Sequence, residues 1–179
     1  MNEGPTRLGA VIYQRGDDID ALLIAVAEHL TRHELHLGGI VQVRSGPMES
    51  CATSLEVMDL MSGKRASIWE DRGACAQGCR LDERGLAAAE PMIRAAIAAD
   101  VDLVMINRFG HAESRGAGLV PAIIAAIEAG IPVLTAVRAP YIEAWQAFHG
   151  GLAADLPADR DAVAAWCRRV SETDTQRAA

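Results

Sequence analysis

Aromatic side chains are scarce in this chain of 179 residues, only 4% of the composition, although half of the residues are apolar. Alanine supplies much of the apolar content, which favours helices packed closely on a sheet over an aromatic-rich sandwich or a base-stacking platform. Positive charge is also short: 17 Lys and Arg stand against 24 Asp and Glu, a net charge of -7. A field of that sign repels polyanions, and the counterion release that drives nucleic-acid binding is missing. DNA, RNA and anionic membranes are therefore poor partners. No apolar run approaches the roughly 20 residues that span a bilayer, and Met1 to Arg7 lacks the apolar stretch of a secretory signal. The expectation is a cytoplasmic protein without membrane insertion. Cys51, Cys75, Cys79 and Cys167 are too few and too unevenly spaced for a disulfide framework, and they read as reduced thiols.

A chain of this length buries roughly 70% of its unfolded surface, enough for one core. The expected organisation is a single domain over residues 1–170 with a frayed polar tail at 171–179. Leu8 to Tyr13 reads as a buried strand, turned by Gln14-Arg15-Gly16-Asp17-Asp18 into a helix from about Ile19 to Thr31, with Leu22, Val26 and Leu30 along one stripe. Asp17, Asp18 and Asp20 stand where a helix N-terminus favours caps and negative charge. Gly38–Arg44, Thr53–Leu60 and Ala66–Trp69 suggest a β-meander, followed by a loop over residues 70–80 and a helix capped by Asp82 that runs to Ala99. Val101–Ile106 is an almost purely apolar run of strand length, as in a parallel strand covered on both faces. The helix carrying Val120, Ile123, Ile124 and Ile127 and the strand Ile131–Val137 complete a βαβ unit. One helix follows Arg138-Ala139-Pro140, and a last one covers Asp159–Val170.

Ligands of an open α/β sheet bind beyond the carboxyl ends of its parallel strands. Gln14–Asp18, Asn107–Gly118 and Arg138–Tyr141 fall there and bring Arg15, Arg108, Arg115 and Arg138 to one edge. Such a group suits a small oxyanion or phosphate, or else is simply solvated. Gly110 and Gly116 allow backbone N–H groups to approach a ligand, Gly16 does the same in the first turn, and Asn107 and Glu113 add polar groups. Glu113 could act as a base; the structural alternative pairs it with Arg108 or Arg115. Cys75 and Cys79 lack zinc-knuckle spacing, and His29, His33 and His36 lack a third ligand type. No metal site or cofactor is assigned.

The order strand, loop, helix, meander, helix, buried strand, polar loop, helix, strand resembles the small P-loop nucleoside triphosphatases of the cancer-related type. That resemblance implies a three-layer α/β sandwich, mainly parallel with an antiparallel meander. The family's Asp-Glu-x-Gly-x-x-Glu segment aligns on Asn107 to Glu113, with Gly110 and Glu113 matching. Its Gly-Lys-Thr loop falls on Tyr13-Gln14-Arg15-Gly16-Asp17-Asp18-Ile19-Asp20, which has neither the lysine nor the hydroxyl that phosphoryl transfer requires. The Asn-Arg-Phe-Gly…Glu…Arg-Gly-x-Gly stretch, preceded by Gly78-Cys79-Arg80-Leu81-Asp82, looks like the bacterial domain of unknown function 2478. Members are often encoded near molybdate-transport genes, so this resemblance implies a link to molybdate or tungstate. The expected function is non-hydrolysing binding of a small oxyanion or nucleotide. Two alternatives are an enzyme using Glu113 and a partner-binding protein without a small ligand; homo-oligomerisation is left open.

Overall fold

The computed structural model describes residues 6–45, 54–67 and 83–175. Seven strands form one sheet: β1 (Leu8–Tyr13), β2 (Leu37–Ser45), β3 (Ser54–Asp59), β4 (Arg65–Ser67), β5 (Leu103–Ile106), β6 (Val133–Arg138) and β7 (Ala153–Leu156). Their spatial order is β4-β3-β2-β5-β6-β1-β7. β2, β5, β6, β1 and β7 are mutually parallel, and β3 and β4 add the two antiparallel pairings of the meander. The α-helices are α1 (Ile19–Arg32), α2 (Glu83–Ala98), α3 (Val120–Glu128), α4 (Ile142–His149) and α5 (Arg160–Thr175). Two apolar clusters, one on each side of the sheet, make the three-layer P-loop-like sandwich expected from the element order. α1 and α5 cover one face, through Leu23, Val26 and Trp166, while α2, α3 and α4 cover the other through Ile93, Ile123 and Trp145.

The shortage of large aromatics has a local physical meaning. At Gly38 an added Cβ would strike Ala96 Cβ, so a pair of minimal side chains lets α2 lie directly on β2. At Gly9 an added Cβ would strike the ring of Trp166, which therefore packs flat against β1 from α5. Gly39, at φ 91°, leaves no room for any side chain against the Met105 carbonyl of β5. The sheet is thus close-packed by small residues at its centre. Phe109, Trp145 and Phe148 form one aromatic cluster near the strand ends, with centroids 5.3 to 5.9 Å apart.

Three differences from the sequence expectation have identifiable causes. β7 was not expected, because Ala153-Ala154-Asp155-Leu156 has no β-branched residue; its pairing with β1 creates it. α5 continues to Thr175 instead of ending at Val170, and Ser171, within the expected tail, is buried and donates its hydroxyl to the Asp102 carbonyl at 3.1 Å. Arg138-Ala139-Pro140 leads first into a short 3-10 turn, Ala139–Tyr141, before α4. The loop at residues 70–80, the Asp82 cap, Cys51, Cys75 and Cys79 lie outside the described residues.

Cys167 is fully buried in α5, and burial pushes its thiol up to about 12. The folded chain therefore holds this proton more tightly than the unfolded chain, whose thiol titrates near 9.0. Its stabilising effect is complete below that pH and declines as pH rises towards 12. Alkylation by iodoacetamide, mapped by mass spectrometry, should spare Cys167 in native buffer and modify it in denaturant. Rapid labelling of the native chain would contradict this burial.

Candidate functional site

β1, β5 and β6 end close together, and their carboxyl edge carries the residues singled out by chemistry. Tyr13 of β1 pairs in register with Arg138 of β6, and Phe109, just past β5, bridges to Val137. Between β5 and that bridge lies Arg108, held at a φ of 65°, a left-handed conformation that costs a non-glycine residue on the order of 1 kcal/mol. Its guanidinium carbon lies 6.0 Å from the centroid of the Tyr13 ring.

A carboxylate from another element holds Arg108. Asp20, in the first turn of α1, is buried, and its Oδ1 accepts a hydrogen bond from an Arg108 η-nitrogen at 2.6 Å. Its Oδ2 lies 3.2 Å from Arg44 Nε and accepts from Gln42 Nε2 at 3.0 Å. Beyond Ile40, where its pairing with β5 stops, β2 has only β3 beside it, so Gln42 and Arg44 project past the end of β5. They alternate on one face of that extension. The sequence expectation placed Asp20 among the N-terminal caps. Asp18 is the residue that caps α1, accepting from Ala21 N at 3.1 Å, and Asp17 accepts from Gln14 N at 2.7 Å.

The loop after β5 is closed from within. Glu113 is buried, and its two oxygens accept the backbone N–H groups of Gly110 at 3.0 Å and Leu119 at 2.9 Å. It therefore caps the entry to α3 and pairs with neither Arg108 nor Arg115, the structural alternative that the sequence offered. With both oxygens engaged, it is also poorly placed as a free base. Gly116, at φ 74°, donates to the Glu113 carbonyl at 2.9 Å, and Gly118, at φ 60°, leaves the space that Oε1 fills. The Gly110 and Gly116 N–H groups expected to face a ligand are thus used by the loop itself. Gly16, at φ 108°, shapes the first turn, with open space around it.

The arginines differ in their engagement. Arg15 is exposed in the first turn, and Arg115 is exposed in a 3-10 turn (Glu113–Arg115) that packs beside α4. Arg138 is half-buried, 6.0 Å from the ring of Tyr141. None of these three has an acidic partner among the described residues. Strand register brings Arg138 and Arg108 to neighbouring strand ends through Tyr13. Asn107 is buried with Oδ1 unpartnered, and Arg108 Nε is likewise buried without an acceptor. Tyr13, Asp20, Gln42 and Arg44 are the residues that sequence reasoning missed. One signal was available: Asp20 falls on the same inward stripe of α1 as Leu23, Ala27 and Leu30, where a lone carboxylate needs a buried partner.

Other polar groups lie elsewhere. His29 and His33 stack with centroids 4.3 Å apart, and His36 lies 3.7 Å from Asp102. Partial desolvation, then His33, Arg160, Arg168 and Arg32, lower the His29 pKa. Among the described residues no group of three His, Cys, Asp or Glu side chains is arranged to hold a metal ion. A cavity of about 580 Å³ between α1 and the meander is lined mainly by apolar side chains, including Ile24, Val41, Met58 and Leu60, and none of the arginines at the strand ends reaches it. No helix among the described residues is long and apolar enough to cross a membrane.

Fold and edge together define a P-loop-like α/β protein with its polar loops gathered at the strand ends. Comparison with known proteins is more specific: the chain belongs to the family described as protein of unknown function (DUF2478), whose model matches residues 8–166. It is 42% identical over 167 residues to the molybdenum import ATP-binding protein ModC 2 of Bradyrhizobium diazoefficiens. The match covers 93% of this chain but 19% of that relative, so the chain corresponds to a small part of a much longer protein. No solved structure matches the chain.

Replacing Glu113 with alanine should cost about 2–4 kcal/mol, because two loop N–H groups lose a charged acceptor in a buried setting. Urea unfolding would measure this. A cost under about 0.5 kcal/mol would mean that Glu113 does not hold the loop.

Proposed function

We propose that this chain is a regulatory binding module for a small oxyanion, associated with molybdate or tungstate handling, and that it does not hydrolyse nucleotides. One observation carries the reading: Arg15, Arg115 and Arg138 at the strand ends lack acidic partners among the described residues, while Arg44 and Arg108 share the single carboxylate of Asp20. Five arginines gather there, against Asp17, Asp18, Asp20 and Glu113, on a protein that is acidic as a whole. Arginine is suited to this task because its planar donors match oxyanion geometry, and charge-assisted bonds are stronger than neutral ones. Lys64, the chain's single lysine, lies away from this edge in the turn between β3 and β4. The relative in Bradyrhizobium diazoefficiens, a molybdenum import ATP-binding protein, supports molybdate as the first anion to try.

A nucleotide fits less well than a small oxyanion. Five residues, Gln14 to Asp18, link β1 to α1, and their aspartates already occupy the backbone donors of Gln14 and Ala21. A phosphate chain at that turn would meet like charge in place of free N–H groups. The missing lysine and hydroxyl remove the groups that would stabilise the transferring phosphoryl and bind Mg²⁺.

Thermal unfolding with molybdate, tungstate, sulfate, phosphate or ATP tests the proposal, since an anion at a hundred times its Kd stabilises by about 2.7 kcal/mol. Molybdate should raise Tm. Arg138→Ala and Arg15→Ala should lose most of that response while changing anion-free stability by less than about 0.5 kcal/mol. Arg108→Ala should also lose it, but with a stability cost from leaving Asp20 buried beside one fewer cation. A wild-type chain indifferent to every oxyanion would overturn the proposal.

A further inference from the structure

Asp20 is a carboxylate placed where a bound anion would sit. It caps no N–H group of its own helix, a task left to Asp18, and it is 5% exposed. Around it stand Arg108 at 2.6 Å, Arg44 at 3.2 Å and Gln42 at 3.0 Å, all donors and drawn from two other elements. Among the described residues, two cations and one anion leave this cluster with an uncompensated positive charge. Its arginines are reachable, since the Arg44 side chain is 48% exposed and that of Arg108 29%. Asp20 also leaves a donor unused, because Arg108 Nε remains buried without an acceptor.

We propose that Asp20 is a resident counter-anion that sets the specificity of this edge, holding Arg44 and Arg108 until a doubly charged tetrahedral oxyanion displaces it. The inference rests on the anion-binding reading above and names the ligand class and the residue that selects it. A monoanion offers the arginines the same charge as Asp20, but from free solution, and an intramolecular carboxylate wins that competition through its high effective concentration. A dianion matches both guanidinium charges, and its several oxygens can accept from both arginines at once. On release, the Asp20 carboxylate remains in the first turn of α1, where the helix dipole favours negative charge. Selectivity therefore follows from charge matching against an internal rival, with no need for a tightly shaped pocket.

Calorimetric titration of the wild type and Asp20→Asn with molybdate, sulfate and nitrate at constant ionic strength tests the inference. Wild type should bind molybdate and sulfate and reject nitrate. Asp20→Asn should bind molybdate roughly tenfold more tightly or better and should gain nitrate binding. A folded Asp20→Asn that binds molybdate no more tightly and still rejects nitrate would overturn the role of Asp20 while leaving anion binding in place. Failure of both proteins to bind any of the three anions would overturn the anion-binding reading and this inference with it. Should Asp20→Asn not fold, the wild type decides by carbon-13 NMR: the Asp20 carboxyl resonance must shift on saturation with molybdate. Molybdate binding without that shift would overturn the inference.

Discussion

One buried carboxylate ties together the parts of this protein that meet at the strand ends. Asp20 belongs to α1, Gln42 and Arg44 to β2, and Arg108 to the loop after β5, so a single side chain joins three segments far apart in sequence. A charge this deeply buried is tolerated only when its lone pairs are engaged, and here they are, by two guanidinium groups and an amide. Asp20 adds a polar tie to the apolar packing that already joins Val41 of β2 to α1.

The neighbouring loops follow a different rule. In the β1–α1 turn and in the loop after β5, carboxylates of the protein itself satisfy the backbone N–H groups: Asp17 and Asp18 in the first, Glu113 in the second. Each is an internal substitute for the anion that free N–H groups at such positions attract. The N–H groups of Gln14, Ala21, Gly110 and Leu119 are thus satisfied from within the protein.

Much of the fold was legible because its signals are local. The apolar runs of β5 and β6 and the helical period between them identify a parallel βαβ unit without tertiary information. β7 was illegible because Ala153 to Leu156 becomes a strand only by lying beside β1. The position of the candidate site was also legible, since strand ends and glycine-punctuated loops declare themselves. Its internal pairing was not. Asp20 beside Asp17 and Asp18 looks like one more helix-terminal acid, and nothing local reveals that its partners are Arg44 and Arg108. Glu113 reads in the sequence either as a base or as a partner for Arg108 or Arg115, whereas in the structure its oxygens accept two N–H groups of its own loop. Long-range ion pairs depend on which elements become neighbours, and that is a property of topology.

A double-mutant cycle between Asp20 and Arg108, in anion-free buffer and read by urea unfolding, measures the contact on which this arrangement depends. Asp20→Ala, Arg108→Ala and the double variant should show coupling on the order of 1–3 kcal/mol, reduced from a fully buried pair because Arg108 is partly exposed. Each single variant leaves a charge without its partner, so the double variant should be less destabilised than the sum of the two. Strict additivity would contradict the view that Asp20 organises the strand-end edge.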